Sequence, residues 1–157
     1  MLGIPALRGA SSPSPAWRET FDPLQVDQWQ QEYASAVWED TPGPGAVLRE
    51  NHPAQNYGKA ESIPIAADIS EYPILRVSVA AVDPGASYTV QILDKKTHTP
   101  RDVLHEVLYP GEHVIDLSQA MGWRGPQVFT INVWVGGESK TITVSRISVE
   151  ADGSATR

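Results

Sequence analysis

The 157-residue chain carries 12 Lys+Arg against 19 Asp+Glu, a net charge of −7, with 41% apolar and 20% charged residues. This length and apolar share suit one packed domain and exclude a disordered chain, and the acidic balance lacks the basic footprint that nucleic acid or an anionic bilayer selects. With no cysteine there are no disulfides, thiol nucleophiles or Cys-ligated metal centres, and no apolar run approaches the roughly 18 residues needed to span a bilayer.

The first ten residues, MLGIPALRGA, place their single Arg after the apolar residues, whereas a secretory signal puts positive charge before a longer apolar stretch. An exported protein of this kind would have its signal outside this sequence. SSPSP at 11–15 lacks periodicity and is held extended by proline, so residues 1–16 read as a linker or expression remnant, and DGSATR at 152–157 reads as a tail. Between them, residues 17–151 are divided by turn signals: TPGPG at 41–45, ENHP at 50–53, DPG at 83–85, YPGE at 109–112 and Gly136-Gly137. Weaker strands are expected at 16–21, 34–39, 46–49 and 57–65. In 74–82, Leu75, Val77 and Val79 alternate with Arg76, Ser78 and Ala80, which predicts a strand with one buried face. Tyr88, Val90 and Ile92 alternate with Thr89 and Gln91 in the same way, and further weak strands are expected at 102–108 and 113–116. The sharpest alternation is in 128–135, where Phe129, Ile131, Val133 and Val135 oppose Thr130, Asn132 and Trp134. Residues 141–150 continue with Ile142 and Val144, and a change of phase at Ser145 and Arg146 suggests a bulge. About ten strands with no long helix predict an all-β fold, an antiparallel β-sandwich.

Three segments form an ordered series: ETFDPLQVDQW at 19–29, DISEYPILRVSV at 68–79, and IDLSQAMGWRG at 115–125, the last followed by a strand, Gly-Gly and TITVSRISVE. The series resembles the galactose-binding-like jelly-roll domains that serve as carbohydrate-binding modules of polysaccharide-degrading enzymes. It is similar to their opening strand and tryptophan, their D-L-S-x-x-P-x-L-x-V run, and their D-L-S-x-x-x-G-W-x-G turn with its closing strand pair. The resemblance covers about residues 17–151 and is carried by structural residues. It implies a jelly roll, a polysaccharide ligand, β-glycans first among them, and a catalytic partner domain in a longer secreted chain. Many such domains hold a structural calcium between their first and last strands, and Glu19, Asp22 and Glu150, or Asp152 in place of Glu150, match that position. The competing reading leaves these residues as solvated surface charges.

Sugars stack an apolar pyranose face on an aromatic ring while amides, carboxylates and Arg hold the hydroxyls. Trp134 shares its parity with Thr130 and Asn132 and is therefore expected to point away from the core. If neighbouring strands present their polar parity on the same side, Arg76, Gln91, Asn132 and Trp134 form one sheet-face site; otherwise Trp134 packs under a loop. Tyr57, with Asn56 and His52 in ENHPAQNYG, offers an alternative site at the sandwich edge. Trp123, in GWRG, is a further edge-loop candidate, although the resemblance favours a structural role closing one end of the sandwich. Trp17, Trp29 and Trp38 read as core or edge-covering residues.

No pair of acids is marked for glycoside cleavage, no H-E-x-x-H or G-x-S-x-G occurs, and the four His are scattered. His105 and His113 would bind a metal only if they faced each other across a hairpin. The leading expectation is a non-catalytic, monomeric carbohydrate-binding module. The alternatives are a small β-sandwich lyase or hydrolase using Arg76 and His105 in one groove, and a protein-interaction or structural sandwich domain.

Overall fold

The computed structural model describes residues 14–31, 34–41, 45–50, 57–137 and 139–152. The expected linker up to residue 13, the tail from 153, and His52 and Asn56 lie outside the described residues. Twelve strands are present among them: β1 (Trp17–Glu19), β2 (Trp29–Gln30), β3 (Ala36–Asp40), β4 (Ala46–Glu50), β5 (Tyr57–Ser62), β6 (Ile65–Asp68), β7 (Ile74–Val82), β8 (Ser87–Asp94), β9 (Thr99–Val107), β10 (Gly111–Asp116), β11 (Pro126–Gly136) and β12 (Thr141–Glu150). One short helix, α1 (Leu117–Ala120), follows β10 and is capped by the Asp116 side chain, which accepts from Ser118 N.

The strands form two antiparallel six-stranded sheets. One runs β10-β7-β12-β4-β3, with β1 also paired to β12; the other runs β2-β5-β11-β8-β9, with β6 also paired to β11. Each sheet is organised by one long central strand. β12 meets β7 on one side and the shorter β4 and β1 on the other, and β11 meets β8 on one side and β5 and β6 on the other. The apolar parity of these strands fills the space between the sheets: Leu75, Val77, Val144, Ile147 and Val149 from the β12 sheet face Val90, Ile92, Phe129, Ile131 and Val133 from the β11 sheet, all buried. The chain is an all-β, two-sheet sandwich.

The sequence signals account for most of the elements. β7 and β12 occupy the predicted spans, and the β12–β7 register shifts between Val144 and Arg146, where the phase change had suggested a bulge. The expected strand at 57–65 divides into β5 and β6. At the break, Ser62 Oγ accepts from Ile131 N at 2.9 Å and donates to Ile63 O at 2.9 Å, so a side chain replaces a ladder bond where Pro64 has no N–H to give. β9 and β10 are not a hairpin: β9 is an edge of one sheet and β10 an edge of the other. His105 therefore lies on Asp102, while His113 lies on the hydroxyl of Tyr88, and the two do not meet. Tyr88 is itself buried, which raises its phenolic pKa above the ordinary value.

The turns of the DISEYP and GWRG segments interlock at one end of the sandwich. Ile69 N donates to Gly125 O and Gly125 N to Ser70 Oγ, and Trp123 packs on Phe129 with ring centroids 5.3 Å apart. Phe21, Trp29 and Trp38 form a second aromatic cluster with centroid separations of 4.6–6.1 Å, and Trp17 meets Trp29 edge-on.

Candidate functional site

The outer face of the β11 sheet carries an open groove of about 390 Å³. Register dictates its composition. Trp134 on β11 lies between Lys59 of β5 and Thr89 of β8, and Asn132 lies between Glu61 and Gln91, so the polar parity of three strands shares one face. Gln91 is paired in turn with Asp102 of β9. β9 bears two register irregularities opposite β8, and the left-handed backbone of Glu106 (φ 46°) sits at one of them. Asp102, His105 and Glu106 are thereby gathered along one wall of the groove.

Tyr57, 50% exposed, stands at the end of the groove and meets Trp134 with ring centroids 5.6 Å apart and planes tilted by 50°. It is paired with Gly136, whose missing side chain leaves the floor open on that side. Trp134 is half-buried, with Lys59 Nζ 5.6 Å from its ring centroid, and its indole N–H is enclosed with no acceptor among the described residues. The loop candidate and the sheet-face candidate are thus one aromatic pair. Tyr57 offers the exposed ring and Trp134 supports it and lines the floor.

Beside the rings runs a chain of side-chain hydrogen bonds. Thr130 Oγ1 donates to Asn132 Oδ1 at 3.4 Å, Asn132 Nδ2 to Gln91 Oε1 at 3.1 Å and Gln91 Nε2 to Asp102 Oδ1 at 3.0 Å, and His105 Nδ1 lies 2.8 Å from Asp102 Oδ2. Asn132, only 2% exposed, is not available to a ligand; it orients Gln91, which lines the groove. The groove therefore presents an aromatic surface next to an amide, a carboxylate and an imidazole whose positions are fixed by their neighbours. Asp102 and Glu106 carried no sequence signal as site residues, and His105 entered only beside Arg76 or His113, because the strand irregularities that gather these three are not visible in alternation.

Other expected site residues lie elsewhere. Arg76 does not share the face of Trp134: β7 belongs to the β12 sheet, and Arg76 points from its outer side, with Nη1 2.6 Å from Glu112 Oε1 and Nε 3.3 Å from Glu150 Oε1. A groove holding both Arg76 and His105, as the lyase reading requires, is not formed. Trp123 is 9% exposed, and it packs on Phe129, toward the opposite end of β11 from the groove, so it closes the sandwich instead of lining a site.

The calcium set does not fit either. Glu19 is fully buried and its carboxylate accepts from Phe21 N at 2.9 Å, Gln25 N at 3.0 Å and Trp29 Nε1 at 2.9 Å. Glu150 lies on the outer face of the same sheet, held by Arg76, Arg146 and Ser148. Consecutive parity sends these two carboxylates to opposite faces, so Glu19, Asp22 and Glu150 do not converge. Among the described residues no group of three or more His, Asp or Glu is placed to hold a metal ion.

No protein-family model matches the chain, and no curated protein matches it. Solved structures do. The low-affinity xylan-binding module CBM86 from the gut symbiont Roseburia intestinalis superposes with a TM-score of 0.53 at 16% identity, covering 83% of this chain and 94% of that one. PfGH50B gives 0.51 at 12% identity over 79% of this chain, and the Endo-D glycoside hydrolase domain of Streptococcus pneumoniae R6 gives 0.50 at 9% identity over 87%. The likeness spans 22% of each of those two longer chains. The sandwich described above is thus a fold shared with that xylan-binding module and with a part of each of those two longer chains.

Proposed function

We propose that the chain is a non-catalytic carbohydrate-binding module that holds a polysaccharide in the groove on the β11 sheet. The observation that carries this reading is the pairing of exposed Tyr57 with Trp134 beside the fixed Gln91–Asp102–His105 chain. A pyranose ring laid on Tyr57 buries apolar C–H surface against the aromatic pair, while the neighbouring amide donates to and accepts from its hydroxyls and the carboxylate accepts from them. Four strands at about 4.8 Å spacing give a groove floor roughly 14 Å across, room for a short run of linked sugars. An open groove with few gripping groups favours weak, reversible binding, and such a binder helps chemistry by raising the local concentration of an attached enzyme. Placement beside a catalytic domain, export from the cell and a monomeric state belong to this proposal. Among the described residues no helix is long and apolar enough to cross a membrane. The fold shared with a xylan-binding module makes xylan the first β-glycan to try.

The test is native-gel electrophoresis through soluble xylan, mannan and β-glucan, with polymer integrity checked afterwards. Retardation without degradation is expected, and Tyr57→Ala and Trp134→Ala are each expected to weaken it by about 1–2 kcal/mol, in the range of an interface aromatic. Free migration through every polymer, or retardation untouched by both substitutions, overturns the assignment of the groove.

A further inference from the structure

The charge of the groove is lopsided. Among the described residues that line it, Asp102 and Glu106 are carboxylates and none is Lys or Arg. The side chain of Glu106 is 72% exposed at the rim and that of Asp102 is 33% exposed lower down. His105 stands between them, Nδ1 2.8 Å from Asp102 and Nε2 3.8 Å from Glu106, so the one imidazole already faces two acids. The cations nearest the groove lie outside its lining. Lys59 Nζ, 5.6 Å from the centroid of the Trp134 ring, is paired with Glu61 Oε1 at 3.3 Å, and Arg101 donates to Ala120 O. The stem of Lys140 packs on Gly137 of the lining, where an added Cβ would meet its Cγ at 2.8 Å. Arg76 is on the opposite side of the sandwich.

A sugar carboxylate entering this groove would find no guanidinium or ammonium among the described residues that line it and two carboxylates on the wall. A concave surface concentrates such a field instead of letting solvent dissipate it. Sugar hydroxyls meet the opposite situation, because each is a donor and the wall is rich in acceptors. We propose that the groove selects uncharged stretches of glycan and rejects stretches bearing uronates, with Asp102 and Glu106 as the selecting groups. This rests on the groove being the glycan site. Specificity of this kind comes from a repulsive element against the wrong ligand, and it discriminates by charge without discriminating among neutral backbones.

The test compares polymers matched in backbone and differing in charge: hydroxyethylcellulose with carboxymethylcellulose, and arabinoxylan with glucuronoxylan. Dissociation constants are read from native-gel retardation. The neutral member of a pair is expected to bind about tenfold more tightly, the scale of one or two unit charges about 4 Å away across solvent in an open groove. Raising the salt to roughly 1 M should narrow that ratio by screening. Glu106→Lys should narrow it by about tenfold, and Glu106→Gln by less, each with an unfolding midpoint close to that of the parent protein. Equal or tighter binding of the charged member, lost on Tyr57→Ala, would keep the groove as the glycan site and overturn the charge rule. Binding that survives both Tyr57→Ala and Trp134→Ala, or no retardation by any polymer, would overturn the groove reading and the charge rule with it.

Discussion

Glu19 is a carboxylate in the interior, and its surroundings show why it stays there. The three-residue β1 sends Trp17 and Glu19 inward and Arg18 outward, and the chain that follows folds back so that two backbone N–H groups and the Trp29 indole point at the carboxylate. Every neighbour is a donor, which offsets the cost of leaving water. Truncation would strand those donors. Glu19→Ala is expected to destabilise the protein by about 3 kcal/mol or more, measured as a lower urea midpoint at unchanged slope, with Glu19→Gln intermediate because its amide turns one donor against donors. A loss within a few tenths of a kcal/mol would mean the carboxylate does not organise the β1–β2 connection. In the sequence this residue reads as a surface acid or a metal ligand, since nothing local announces that the next ten residues will wrap around it.

At the level of elements, β5 shows how closely two pieces of chain can be required to approach. A Cβ on Gly58 would lie 2.2 Å from Ser35 O and 2.7 Å from Glu50 Cβ, and the neighbouring Lys59 N donates to Ser35 Oγ at 2.7 Å. Gly58→Ala should therefore push the 34–35 segment off β5 and cost about 1–3 kcal/mol in chemical denaturation, as overpacking does. Tyr57 hangs on the same strand, so glycan affinity should fall with it; an unaltered midpoint would show that the segment yields freely. Alternation made β7, β8, β11 and β12 legible because each buries one full face over eight residues or more. It failed at β2, whose two residues are too short for any period, and at 57–65, where Ser62 and Pro64 break a strand whose composition reads as continuous. The outward side of Trp134 was legible for the same reason as β11 itself. Its companions were not, because alternation within a strand says nothing about which sheet the strand joins: Gln91 came to the face of Trp134 and Arg76 to the far side of the molecule. Nor does it show depth. Asn132 has the polar parity but lies beneath Gln91, and Tyr57, which reads as a loop residue, supplies the exposed ring.

The two outer faces of the molecule are built differently. The β11 sheet is left concave and open, while the β12 sheet is crossed by an ion cluster in which Glu112 and Glu150 hold Arg76, and Arg146 and Ser148 also reach Glu150. These contacts join β7, β10 and β12 across the outer face opposite the groove. Partial burial by itself would raise the pKa of Glu150, but the Ser148 hydroxyl, the hydrogen bond from Arg76 and the charges of Arg146 and Arg76 outweigh it and hold the carboxylate below its ordinary value of 4.5. The same contacts raise the pKa of Arg76 against the lowering effect of its own burial. Because the folded carboxylate is the stronger acid, the unfolded chain takes up a proton first on acidification. The stabilisation is complete above about pH 4.5 and is lost as the pH falls through the lower folded value. A net charge of −7 acts in the opposite sense, since protonating other acids relieves self-repulsion, so the slope of the parent protein alone would mix the two effects. The difference between the parent and Glu150→Gln isolates the first. The variant's thermal midpoint is expected to lie below that of the parent at about pH 6, and the two should converge as the pH drops below about 4. A gap that persists unchanged to low pH would locate the loss in altered packing of the side chain and remove the ionised carboxylate from the account of how this face is held.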